Sequence, residues 1–340
     1  MGLLFNMKEQ FIKEWEDFKP TNNKDNPLEI IIKPEILDTS NIQEGEGNKG
    51  LWRPTNFSEY IGQEEAKNRI NNYIVGCKKF GEKFPNTFLL SPPGCGKTTL
   101  ALILANMLNE KFVICTAGEI KSEQQIVDKI VEANGGIIFL DEAHRISVKI
   151  GTFLLPILED YQIQGKKIKQ FTMIFSTTHI GNISKNLEAL IQRFPLQVEL
   201  QHYNVVDLIK ILQQFKNKKY PSIIISNDIY NKIAENSKFT PRIALSLLKE
   251  YIFIENFDIV LKNNNIVKDG IKFQDIQVLQ YLLNNSGAGK NSIAKYLRVE
   301  PNTYEFSIEP YLIFKEFINV SSKRKISDKG KEFLNQIKGV

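Results

Sequence analysis

From Thr87 to about Leu200, short apolar runs alternate with helical stretches, the pattern of a parallel sheet buried on both faces by its connecting helices. The runs are Thr87-Phe88-Leu89-Leu90, Phe112-Val113-Ile114-Cys115, Ile137-Ile138-Phe139-Leu140, Phe171-Thr172-Met173-Ile174-Phe175 and Gln197-Val198-Glu199-Leu200. After Tyr203 the period changes. Residues 205–215, 227–237 and 241–256 carry apolar side chains three and four apart, predicting a small helical domain. From Phe273 onward, helix-like segments lead to Tyr311-Leu312-Ile313-Phe314 and a basic tip at Lys323-Arg324-Lys325, an order that suits a winged helix. Residues 1–50 differ from all of this: Phe11-Ile12-Lys13-Glu14-Trp15 fits a short amphipathic helix, followed by Asn-, Pro- and Gly-rich sequence ending at Gly50. They read as an appended arm and linker.

Composition adds limits. A chain of 340 residues predicts two or three domains, and 42% hydrophobic with 24% charged residues suits a globular protein with real cores. No apolar run approaches the roughly 18 residues of a membrane span, and the start Met1-Gly2-Leu3-Leu4-Phe5-Asn6 is too short for a signal peptide, so the expected location is the cytoplasm. Cys77, Cys95 and Cys115 are odd in number and lack CxxC spacing, which disfavours disulfides and zinc. The net charge of +5 is unevenly spread. Residues 1–50 hold 6 Lys/Arg against 10 Asp/Glu, whereas residues 261–340 hold 13 against 8, hinting at an anionic partner for the C-terminal end.

The chemistry begins after the first apolar run. Ser91-Pro92-Pro93-Gly94-Cys95-Gly96-Lys97-Thr98-Thr99 precedes an apolar helix, and strand, Gly-rich turn, Lys-Thr and helix in succession make a P-loop. The turn's N–H groups and the helix N-terminus face phosphate there. Gly94, Cys95, Gly96, Thr98 and Thr99 are therefore expected to cradle ATP, with Lys97 on the β/γ-phosphates and Thr98 on Mg²⁺. Ser91 stands where the pattern has its first glycine, which requires an ordinary extended backbone there. About 40 residues on, Ile137-Ile138-Phe139-Leu140-Asp141-Glu142 reads as the Walker B strand, with Asp141 in the metal shell and Glu142 orienting the attacking water. Gly287-Ala288-Gly289-Lys290-Asn291 imitates a second phosphate loop, but no strand leads into it and Asn replaces Ser/Thr, so a helix-connecting turn is expected.

Further residues carry a resemblance. Arg53-Pro54 with Phe57, Tyr60-Ile61-Gly62-Gln63, the P-loop, Phe139 to Arg145, Leu158-Glu159-Asp160, Thr177-Thr178, Arg193-Phe194, Thr240-Pro241-Arg242-Ile243-Ala244 and Glu309-Pro310-Tyr311-Leu312-Ile313 follow the order of the RuvB family of Holliday-junction branch-migration ATPases. The chain resembles that family from about residue 51 to 335. The resemblance implies an α/β fold: an AAA+ P-loop NTPase core at 51–202, a helical lid at 203–264 and a winged-helix DNA-binding domain at 265–340. It further implies a nucleotide-edge pocket with Arg53, Tyr60, Ile61 and Tyr203, a γ-phosphate sensor at Thr178, an arginine finger at Arg193 supplied to a neighbour, and a second sensor at Arg242. Lys323, Arg324 and Lys325 match the family's basic wing on DNA phosphates. The implied assembly is a homo-oligomeric ring, a hexamer, on duplex or branched DNA.

Two departures bear on partners. Val320 stands where the family's wing has Arg, and only residues 161–170 fill the place of the long hairpin that grips the partner RuvA. Lys166, Lys167 and Lys169 lie near the expected tip at Gly165. So little apolar surface argues against the usual RuvA contact. A DNA translocase driving branch migration is the leading expectation; an AAA+ loader or matchmaker, and a regulatory DNA-binding ATPase of a phage or mobile element, stay open.

Overall fold

The chain divides after Leu51, and the second unit, Trp52–Val340, holds every residue described by the computed structural model, namely 53–178 and 188–338. The expected helix at Phe11 to Trp15 lies outside them. Helix α1 (Glu64–Phe80) leads into β1 (Thr87–Leu90), α2 (Lys97–Leu108), β2 (Phe112–Thr116), α3 (Glu123–Ala133), β3 (Ile137–Asp141) and α4 (Val148–Asp160). A small hairpin, β4 (Gln162–Ile163) and β5 (Lys166–Lys167), precedes β6 (Thr172–Thr177), α5 (Glu188–Ile191) and β7 (Leu196–Glu199). The five long strands form one parallel sheet in the order β2-β3-β6-β1-β7.

This order matters chemically. β6 lies between β1 and β3, so the ends of the P-loop strand and the Walker B strand stand two strand spacings, about 10 Å, apart. Every residue of β6 is buried, and so are Ile137 to Leu140 of β3. One core of α3, α4 and the adjoining turns covers one face, and a second, built on α1 and α2, covers the other.

The lid follows as α6 (Val205–Lys219), α7 (Asn227–Glu235), α8 (Pro241–Ile254) and α9 (Phe257–Asn263). Asn204, Ser226 and Asn256 cap α6, α7 and α9 with side-chain oxygens that accept from the third residue onward. A hairpin, β8 (Ile266–Lys268) and β9 (Ile271–Lys272), opens the last domain. Its helices are α10 (Phe273–Asn284), α11 (Lys290–Leu297), α12 (Pro301–Thr303) and α13 (Glu309–Phe314), and β10 (Ile318–Val320) with β11 (Arg324–Ile326) forms the wing before α14 (Asp328–Lys338). Between α12 and α13 the chain takes a π-turn over Tyr304–Ile308. Pro310 supplies the reason, because it has no N–H and its ring would crowd the carbonyl one turn back in an α-helix. The imitation phosphate loop is a turn: Ala288 bridges Arg324, Gly289 caps α11, and Lys290 pairs with Glu305.

The short hairpin turns through Gln164 (φ 50°) and Gly165 (φ 78°), the two left-handed residues that a tight two-residue turn requires. Its apolar residues, Ile163 and Ile168, pack on the first core, and Lys169 lies across Gly135 rather than at the tip. Among the described residues no helix is long and apolar enough to cross a membrane.

The wing differs from expectation at Arg324. Its guanidinium points inward, with Nε donating to Glu309 Oε1 at 2.6 Å and Nη2 to Oε2 at 3.1 Å, while Lys323 and Lys325 stay exposed. A fork-to-carboxylate pair with both side chains mostly buried is a clamp between α13 and the wing, and it removes Arg324 from the candidate DNA contacts. Replacing Arg324 by Met strands a buried carboxylate and is expected to destabilise the domain by about 3 kcal/mol. Adding Glu309→Leu should recover much of that loss; urea denaturation of both variants measures it.

Candidate functional site: a phosphate loop between sheet and lid

Between Leu90 and Lys97 the chain turns through Gly94 (φ 79°) and Gly96 (φ 101°). Both glycines are required twice over, by backbone and by space. A Cβ on Gly96 would come within 2.7 Å of the Tyr60 hydroxyl, and one on Gly94 within 3.0 Å of Arg242 Cβ. Ser91 is not among the residues at positive φ, so the side chain at that position costs nothing. Its N–H donates to the Thr177 carbonyl at 3.2 Å, tying the loop to the end of β6. The first N–H groups of α2 have no side-chain cap and the helix dipole adds to them, leaving an anion-binding terminus.

Lys97 is 9% exposed and donates to the Ser91 carbonyl at 3.3 Å. Burial lowers its pKa, nearby Arg242 lowers it further, and Asp141 and Glu142 oppose both. Two cations crowded around a glycine turn ask for a polyanion. Cys95 is fully buried within the same turn, and burial pushes its thiol up to about 12, so it packs as an inert apolar group.

Across β6, Asp141 Oδ1 accepts from the Ser176 hydroxyl at 2.8 Å and from the Glu142 N–H at 2.9 Å. These bonds orient the carboxylate. Glu142 sits at φ 51°, a left-handed position for a non-glycine residue, and its Oε2 accepts from Arg145 Nη1 at 2.8 Å. Arg145 in turn lies over Gly118, whose missing side chain leaves it room. His144 Nδ1 meets Thr177 Oγ1 at 3.0 Å, while Thr178 is half-buried just past the strand end. The sequence pattern did not mark Ser176 or Gly118, and it placed His144 and Arg145 within a motif without assigning them a role. The available signal was two hydroxyl residues, Ser176 and Thr177, closing a buried strand directly after the apolar run Met173-Ile174-Phe175.

The lid completes the site from the other side. Arg242, at the start of α8, donates its N–H to the Gly94 carbonyl at 3.4 Å. Tyr60 and Tyr203 are buried, and the Tyr60 hydroxyl donates to the Cys95 carbonyl at 3.4 Å, so this pair supports the loop from beneath. Ile61 and Arg53 are half-buried. Arg193 is elsewhere: its main-chain oxygen accepts from Asn86, at the opposite end of β1, and its Nη2 donates to Glu159 at 2.8 Å. The β1 segment from Asn86 to Ser91 spans about 16 Å, so Arg193 lies at the far edge of the sheet from its own phosphate loop.

Donor chemistry fits a nucleotide with a hard cation. Glycine backbone, a helix N-terminus, the buried Lys97 and the exposed Arg242 suit a triphosphate, and the Thr98 hydroxyl with the Asp141 carboxylate is the sparse oxygen set that Mg²⁺ uses beside phosphate.

Fold and site together define a P-loop ATPase of the AAA+ class bearing a C-terminal winged helix. Residues 52–200 match the model of the Holliday junction DNA helicase RuvB P-loop domain, and residues 268–335 match that of the RuvB C-terminal winged helix domain. The chain belongs to the RuvB family. The Holliday junction branch migration complex subunit RuvB of Sulfurimonas denitrificans is 31% identical over 330 residues, covering 88% of this chain and 96% of the relative. That of Ureaplasma parvum serovar 3 is 34% identical over 304 residues, covering 83% and 96%. The solved Thermotoga maritima RuvB Holliday junction branch migration motor aligns at a TM-score of 0.75 and 29% identity, over 83% of this chain and 98% of that one.

Gly96→Ala is expected to abolish nucleotide binding, because the new Cβ meets Tyr60. Tyr60→Phe added to it should not restore binding, since φ 101° remains strained for alanine. Titration with a fluorescent ATP analogue checks both.

Proposed function

We propose that the chain is an ATP-driven ring motor that moves duplex DNA and drives branch migration of DNA junctions. The observation that carries this reading is the gathering of Lys97, Asp141, Glu142 and Arg242 around one glycine turn in a chain that ends in a winged helix with exposed basic residues. Gly94, Cys95, Gly96, Thr98 and Thr99 would hold the phosphates, and Arg53, Tyr60, Ile61 and Tyr203 would form the nucleotide edge. Thr98 and Asp141 would hold Mg²⁺, which when bound neutralises charge on the β- and γ-phosphates. Lys97 grips those phosphates, and Glu142, once released from Arg145, orients the water. Thr178 and Arg242 read the γ-phosphate from the sheet and the lid.

Arg193 serves a neighbour. Its place beyond the wrong end of β1 supports supply in trans, within a closed ring that we take to be a hexamer, located in the cytoplasm. A finger of this kind contributes about 10³- to 10⁵-fold in rate. A junction-binding protein is a further partner of this reading, and the short hairpin, which spends Ile163 and Ile168 on its own core, argues against the usual RuvA contact.

Arg193→Ala should fold and bind ATP yet fail to turn it over, whereas Lys97→Ala should fold but lose turnover together with its grip on the phosphates. Mixing the two should restore activity at interfaces where an intact Lys97 faces an intact Arg193. Steady-state ATPase across mixing ratios tests this, and a flat zero at every ratio would exclude a finger acting in trans.

DNA binding is assigned to Lys323 and Lys325. If both neutralise phosphates, replacing them by Ala lowers affinity for unrelated duplexes alike and flattens the slope of log K against log salt by about 1.8 units, roughly 0.9 per contact. Equilibrium binding at several salt concentrations measures it; an unchanged slope moves the DNA path off the wing.

A further inference from the structure

We propose that Lys238 and Phe239 form the joint that passes the state of the phosphate site to the winged helix, an inference resting on the reading of Arg242 as a phosphate sensor. The segment 238–242 joins α7 to α8 and touches two other parts of the protein. At its far end, Arg242 donates its N–H to the Gly94 carbonyl of the phosphate loop at 3.4 Å. Between the two ends, the Phe239 carbonyl accepts from the N–H of Tyr203, whose side chain packs with Tyr60 beneath that loop.

At its near end the segment grips the winged helix. Lys238 Nζ lies 3.1 Å from Asp275 Oδ2, with the aspartate side chain 1% exposed, and 4.8 Å from the centre of the Tyr311 ring. The Phe239 ring stands 5.6 Å from that of Phe314, which also carries the His202 ring at 4.4 Å. Lys315 places its ammonium 5.8 Å from the Phe239 ring. Tyr311 and Phe314 belong to α13, and α13 begins with Glu309, the clamp on the wing.

Backbone conformation makes this segment a candidate for two discrete arrangements. Lys238 and Phe239 lie at φ 52° and 55°, consecutive non-glycine residues in the left-handed region. A bulky side chain stays there only while its surroundings hold it. The holding contacts come from the winged helix on one side and Tyr203 on the other, so a shift of Arg242 toward a phosphate works directly against them. Five residues bonded at both ends leave little slack to absorb such a shift.

The test is thermodynamic linkage. Affinity of a fluorescein-labelled blunt duplex is measured by anisotropy with Mg²⁺ and either a non-hydrolysable ATP analogue or ADP. For the full-length wild type, the ratio of the two dissociation constants is expected to fall in the range of about 5- to 150-fold, with DNA changing the relative analogue and ADP affinities by the same factor. Phe239→Gly keeps the left-handed backbone but removes the ring, and Phe314→Ala removes the same contact from the exposed, winged-helix side. Each should bind nucleotide and DNA separately and bring the ratio close to 1, and the double variant should lose nothing more. If one variant unfolds, the other carries the test. A wild-type ratio of 1, or variants that keep the wild-type ratio, would overturn the joint. Arg242→Ala separates the two readings: if it alone keeps full coupling, the sensor assignment fails, whereas if it loses coupling while Phe239→Gly and Phe314→Ala keep it, only the joint fails.

Discussion

Six residues between Leu90 and Lys97 bring the sheet, the lid and the N-terminal Tyr60 to one point, and the rest of the molecule is arranged around the lack of side chains there. Gly94 and Gly96 hold left-handed conformations while Arg242 and Tyr60 occupy the space their side chains would need. The loop thus reports on, and is held by, parts of the chain far away in sequence. Any side chain added at either position would press on Tyr60 or on Arg242 of the lid.

Electrostatics at this point is deliberately unbalanced. Lys97 is buried against a carbonyl with Arg242 nearby, whereas the acids sit across β6 and are restrained by other groups: Asp141 by Ser176 and Glu142 by Arg145. Bringing a polyanion to the cations relieves a cost of burial already met in folding. The Glu142–Arg145 contact is a surface ion pair of modest strength.

In the winged helix the stretch most distinctive of the family, Glu309 to Ile313, turns out to serve packing. Glu309 clamps the wing through Arg324, Tyr311 donates to the Asp269 carbonyl, and Leu312 is fully buried. Glu309, Tyr311 and Leu312 thus orient the wing and join it to the lid, while Ile313 is exposed. Lys323 and Lys325, on the same short hairpin, stay exposed.

The sequence by itself determined the elements and most of the nucleotide site. All five sheet strands were legible as apolar runs, the P-loop as a strand, glycine turn and Lys-Thr, and the lid helices as a change of period, because each of these is set by residues close together in the chain. Strand order, and with it the placing of Ser176 beside Asp141, was decided only by tertiary packing. So were the inward turn of Arg324, the position of Lys169 across Gly135, and the distance between Arg193 and its own phosphate loop. A basic residue on a wing reads the same whether it faces DNA or a buried glutamate 15 positions earlier. Local pattern records which residues share a helix or strand; which charges meet across elements depends on how the layers pack.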